Sequence, residues 1–109
     1  MAKRKNMANV YVVKMSDEVL DIRKFRIKNP KHKTGMDCLY VGYTHLDPEE
    51  RFINHKRGHK HNRWVKKYGI RLLPEHYDEY NPMEVEEAKR KEIELAEALR
   101  AKGYAVHQR

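Results

Sequence analysis

The sequence is short of the residues that staple a chain together or carry it through a bilayer. It has one cysteine, Cys38, in 109 residues. A lone cysteine excludes an intramolecular disulfide and a cysteine-pair metal site. It also suits a reducing compartment, so a cytoplasmic location is expected. Phenylalanine occurs twice and tryptophan once, and hydrophobic residues make up only 39% of the chain. No apolar run approaches the roughly 20 residues that span a bilayer, and there is no signal-peptide core. No membrane partner is expected on those grounds. No fixed-period repeat is visible either.

Charge is what the chain has instead. Charged residues reach 37%, with 24 Lys and Arg against 16 Asp and Glu, a formal net charge of +8. Such a balance points to a polyanionic partner, nucleic acid first and an anionic membrane surface second. The length fits one domain with a modest core. Residues 1–8 are expected to be a basic, flexible tail, and residues 9–109 a single domain.

The pattern predicts strands at Asn9–Met15 and Cys38–Thr44, both rich in β-branched and aromatic residues. Between them, Ser16–Met36 is polar and basic and reads as a helical turn plus a loop. Asp47-Pro48-Glu49-Glu50 has the N-cap, first-turn proline and capping-box spacing of a helix start, and Gly58 stops that helix. Asn62–Tyr68 reads as a short helix with Trp64, Val65 and Tyr68 inward. Ile70–Leu73 reads as a third strand. Asn81-Pro82-Met83-Glu84 repeats the start device for a long helix over Met83–Lys102, and Tyr104–Val106 returns as an edge strand. The expected class is a small α/β (α+β) domain: a central antiparallel three-stranded sheet flanked by helices.

Within the long helix Val85, Ala88, Leu95, Ala96 and Leu99 form one apolar stripe, and Glu92 lies in its middle. The other interior acids, Glu86, Glu87, Glu94 and Glu97, fall on the flanks or the opposite side. A carboxylate among core positions costs free energy unless a cation, a hydrogen-bond network or a metal compensates it. Arg51 and His55 are four apart on one helix and so share a face. A guanidinium beside an imidazole suits a phosphate, although a solvated basic face has the same spacing. Tyr11 and Tyr40 fit half-buried strands, and a tyrosine hydroxyl can also accept a proton.

Asn9-Val10-Tyr11 resembles the GIY element, and Tyr40-Val41-Gly42 the YIG element, of the GIY-YIG nuclease superfamily. Arg51, nine residues beyond Gly42, is similar to the family's helix arginine, His55 to the histidine that some members carry one turn later, and Glu92 to its metal-binding glutamate. The chain departs from the pattern at Asn9, which replaces a glycine, and at Tyr43, where many members have a cation. After the glutamate helix, where a polar residue often stands, only Tyr104 or His107 is near. The resemblance implies a GIY-YIG-like fold and a phosphodiester-cleaving endonuclease using one Mg²⁺ or Mn²⁺. Glu92 would hold the metal, Tyr11 would act as base or water-orienting group with Tyr40 as its alternative, Arg51 would clamp the phosphate, and His55 would assist.

The stretch from His55 to Tyr68 interleaves basic and aromatic residues, as nucleic-acid surfaces do. Lys56, Arg57, Lys60, Arg63, Lys66 and Lys67 are the expected contacts, with DNA placed ahead of RNA as partner. Arg23, Lys24, Arg26, Lys28, Lys31, His32 and Lys33 form a second basic run. His55, His59 and His61 have no ordinary zinc spacing. Two other classes stand beside the nuclease: a catalytically weak or inactive nucleic-acid-binding module, and a protein-interaction domain on the same scaffold. With no second domain to provide specificity, a partner protein or the basic insert would supply it.

Overall fold

β-branched and aromatic residues crowd β1 (Met7–Met15), the central strand of the computed structural model, which describes residues 6–58 and 62–108. β2 (Cys38–Thr44) pairs antiparallel with it, setting Tyr11 opposite Gly42 and Tyr40 opposite Val13. β3 (Gly69–Leu72) runs antiparallel on the other side of β1. β4 (Met83–Glu84) pairs with Met7 and Ala8. β5 (Ala105–Gln108) lies parallel to β2, with His107 beside Tyr40. The order is β3-β1-β2-β5, with β4 on β1.

The mixed α/β class is as expected, and β3, β1 and β2 are antiparallel neighbours, with β3 at an edge of the sheet. The sheet is nevertheless larger than the three strands anticipated: five strands are present among the described residues. β5 is the returning edge strand, and β4 is too short for period-2 alternation to be visible. Met7 and Ala8, expected in the tail, instead join β1. Residues 1–5 lie outside the described residues.

Four helices flank the sheet among the described residues: α1 (Arg23–Ile27), α2 (Pro48–Arg57), α3 (Arg63–Tyr68) and α4 (Val85–Ala101). The cap chemistry explains most boundaries. Asn62 Oδ1 accepts the N–H groups of Trp64 at 2.9 Å and Val65 at 3.3 Å and so starts α3. Gly58 closes α2 at φ 85°, a left-handed conformation that suits glycine. Asp47 stands at the α2 N-cap, but its side chain makes no cap hydrogen bond, so the anticipated capping box does not form. α4 packs on β1, β2 and β5, while α2 and α3 pack on β1 and β3. Val10, Tyr11, Val12 and Val13, which alternate between the two faces of β1, are all buried.

The basic insert is tied down rather than trailing. Asn29, itself buried, donates to the carbonyls of Phe25 at 2.9 Å and Val106 at 3.1 Å and accepts the Val106 N–H at 2.7 Å. One amide thus fastens α1 to β5. Cys38 is spent on the core, and burial, reinforced by Asp17 and Asp37, pushes its thiol up to about 12.

The start of α4 differs from expectation. Asn81 does not cap it. The Asn81 amide instead accepts the Val10 N–H at 2.9 Å and donates to the Val10 carbonyl at 2.8 Å. A side-chain amide carries the donor and acceptor of a peptide, so Asn81 acts as one more rung on β1. It fills the gap between the β4 pairing at Ala8 and the Leu73 N–H that bonds the Val12 carbonyl at 2.9 Å. Asn81→Ala removes that rung and strands two backbone groups. Its urea midpoint is expected to fall by the equivalent of roughly 1–3 kcal/mol with the m-value unchanged. An unshifted midpoint would show that the rung carries no stability.

Candidate functional site

Side chains alternate across a strand, so the β1–β2 register puts Tyr11, Tyr40 and Gly42 on one face. A Cβ on Gly42 would sit 2.9 Å from Tyr11 Oη and 3.0 Å from Tyr40 Cε2. Glycine is therefore what lets the two rings meet, with centroids 6.0 Å apart. α2 lies over this face and inserts His55, which is fully buried. Its ring centroid is 6.1 Å from each tyrosine.

Two hydrogen bonds fix the imidazole. The Asn62 backbone N–H donates to His55 Nδ1 at 2.8 Å, and His55 Nε2 lies 2.9 Å from Tyr11 Oη. An Nδ1 that accepts carries no proton, so the proton of the neutral ring sits on Nε2 and is donated to the tyrosine oxygen. Tyr11 Oη is thus an acceptor toward His55, and its own hydrogen points elsewhere.

Tyr11, Tyr40 and His55 are therefore brought together, though Tyr11 and His55 are 44 residues apart in sequence. Arg51 is half-buried one turn before His55 on α2. Glu92 comes from a different element, α4. It is 6% exposed on the stripe that buries Ala88, Leu95, Ala96 and Leu99, as its periodicity predicts. Among the described residues no three His, Cys, Asp or Glu side chains gather as a metal cage. A carboxylate is among the hard oxygen ligands that Mg²⁺ or Mn²⁺ takes.

The expected nucleic-acid contacts divide into two kinds. Arg57, Arg63, Lys66 and Lys67 are exposed. Lys56, by contrast, donates to the carbonyls of Lys66 and Gly69, both at 2.9 Å. Its ammonium caps the end of α3, while the residue stays exposed. Lys60, with His59 and His61, lies outside the described residues. Sequence reading missed Asn62 as a partner of His55, since a backbone N–H leaves no mark in composition. It noted His107 without a role. That ring stacks on Trp64 at 4.3 Å and on Tyr40 at 5.9 Å.

No protein-family model, curated protein or solved structure matches the chain.

Burial, then Lys28, Arg100 and Lys24, lowers the His107 pKa from the ordinary 6.5 to about 4. Between those values the unfolded chain binds a proton that the folded chain does not. Stability should therefore fall as pH drops from about 6.5 to about 4, by at most ~1.4 kcal/mol per pH unit for one group. Thermal melts of the native protein and of His107→Phe, which keeps a ring on Trp64, should converge on acidification if the native protein starts more stable. Melting curves that shift in parallel over this window would contradict the assignment.

Proposed function

We propose that the protein is a divalent-metal-dependent endonuclease that hydrolyses phosphodiester bonds in nucleic acid, with DNA placed ahead of RNA. The observation that carries this reading is the buried 2.9 Å hydrogen bond between Tyr11 and His55, beside Tyr40, in a chain of net charge +8. Tyr11, Tyr40 and His55, three of the residues whose order resembles the GIY-YIG nucleases, meet there. A core serves packing with apolar rings; a tyrosine oxygen held by an oriented imidazole is arranged for handling a proton.

In this reading Glu92 would hold the Mg²⁺ or Mn²⁺. Bound there, the ion would polarise the phosphate and stabilise the leaving oxygen. Arg51 would fork its guanidinium onto two phosphate oxygens and offset the charge that develops in the transition state. Tyr11 would either act as the general base, as a phenolate held by the His55 Nε2–H, or orient the attacking water, with Tyr40 as the alternative. Arg57, Arg63, Lys66 and Lys67 would meet the flanking phosphates.

A second reading is a nucleic-acid-binding module without catalysis. The 1% exposure of both Tyr11 and Tyr40 favours it, because the two rings belong to the packed core.

A cleavage assay in Mg²⁺ and Mn²⁺ on branched, single-stranded and duplex oligonucleotides decides between them. The native protein should cut at least one substrate. Glu92→Gln should bind with native affinity and not cut. Arg51→Lys keeps its charge but loses its fork, and its rate should drop by about two orders of magnitude. Salt-dependent binding without any cleavage by the native protein would leave the module. Native-rate cleavage by Glu92→Gln would remove the metal-binding role.

A further inference from the structure

Beside the Tyr11–Tyr40–His55 cluster opens a cleft of about 680 Å³. Three cations line it, Lys24 from α1 and Arg63 and Lys67 from α3, all exposed. Three rings line it as well: Trp64, Tyr68 and His107. No acidic residue is among its described lining residues. Trp64, one of its lining residues, is half-buried. It rests on His107 with the ring planes 22° apart, and its centroid lies 6.3 Å from that of Tyr68 and 5.8 Å from that of Phe25. The rings hold the indole in place, which lowers the entropy lost when a flat ligand stacks on it.

Two residues belong to both the cleft and the cluster. Asn62 lines the cleft and donates its N–H to His55. His107 lines the cleft and stacks on Tyr40, with planes 28° apart. A group seated in the cleft is therefore one side chain away from the proposed reacting centre.

We propose that this cleft receives an unstacked nucleobase adjacent to the attacked phosphate, so that the substrate is single-stranded, looped or otherwise unpaired nucleic acid. The proposal rests on the nucleic-acid reading and narrows it. Trp64 and Tyr68 offer stacking surfaces, and Lys24, Arg63 and Lys67 lie where the phosphates on either side of that base would run. Every base has a π face, so such a slot tolerates any sequence. In an intact duplex the bases are stacked inside the helix and must be unpaired before they can reach the indole.

Trp64 is the sole tryptophan of the chain, so its emission reports on the cleft alone. The full-length protein, without divalent metal, is titrated with a single strand, a duplex of the same length, an abasic strand with the same phosphates, and polyglutamate. Binding is read by anisotropy of the labelled oligonucleotides and stacking by Trp64 emission. The single strand should quench Trp64, and the other three should leave it nearly unchanged. Trp64→Leu should weaken the single strand roughly tenfold or more and leave the abasic strand unaffected, with Trp64→Phe in between. Single-strand binding without quenching, or equal quenching by the duplex, the abasic strand or polyglutamate, overturns the base slot and leaves the nucleic-acid reading standing. No anisotropy change with any oligonucleotide removes both. Should Trp64→Leu fail to fold, the native titration decides by itself.

Discussion

One buried hydrogen bond, from His55 Nε2 to Tyr11 Oη at 2.9 Å, is the constraint on which the site's arrangement depends. It needs three separate conditions. β1 and β2 must pair so that the Tyr11 ring falls over a residue without a side chain, and Gly42 is that residue. α2 must lie on the same face with His55 pointing inward, and His55 is fully buried there. The chain entering α3 must turn so that the Asn62 N–H meets the far nitrogen of the ring. The Asn62 side chain enforces that turn by capping α3 while its backbone holds the imidazole. Lys56 adds a tie between α2 and the end of α3. A polar pair this deep stabilises a single arrangement only when its donors and acceptors are matched, and here neighbouring backbone supplies part of the match.

Much of the frame was legible in the sequence. The strand pair, the α2 start at Asp47-Pro48 and its end at Gly58 follow from local chemistry, and local chemistry is what a sequence displays. Glu92 was legible for a related reason: seventeen helical residues in α4 repeat the 3.6-residue period often enough to show a misfit. The fold class followed from the alternation of these elements.

What was not legible depends on distant partners. Asn81 followed by proline reads as a cap, yet its amide pairs with Val10, 71 residues away. Lys56 reads as one more cation in a basic run, yet it reaches carbonyls 10 and 13 residues onward. The cleft combines α1, α3 and β5, and no local pattern predicts that β5 lies parallel to β2 and brings His107 beside Tyr40. Asn29 makes this meeting possible by fastening the insert to β5. The basic insert thus forms one wall of a cleft and is not a loose arm.

The central claim is that His55 is a neutral imidazole with its proton on Nε2, given to Tyr11, because the Asn62 N–H occupies Nδ1. ¹⁵N NMR of ring-labelled histidine at neutral pH tests it directly, with the His55 signals assigned by their loss in His55→Gln. The account predicts an unprotonated Nδ1 and a protonated Nε2 coupled to its hydrogen. A proton on Nδ1, or one on both nitrogens, would contradict it.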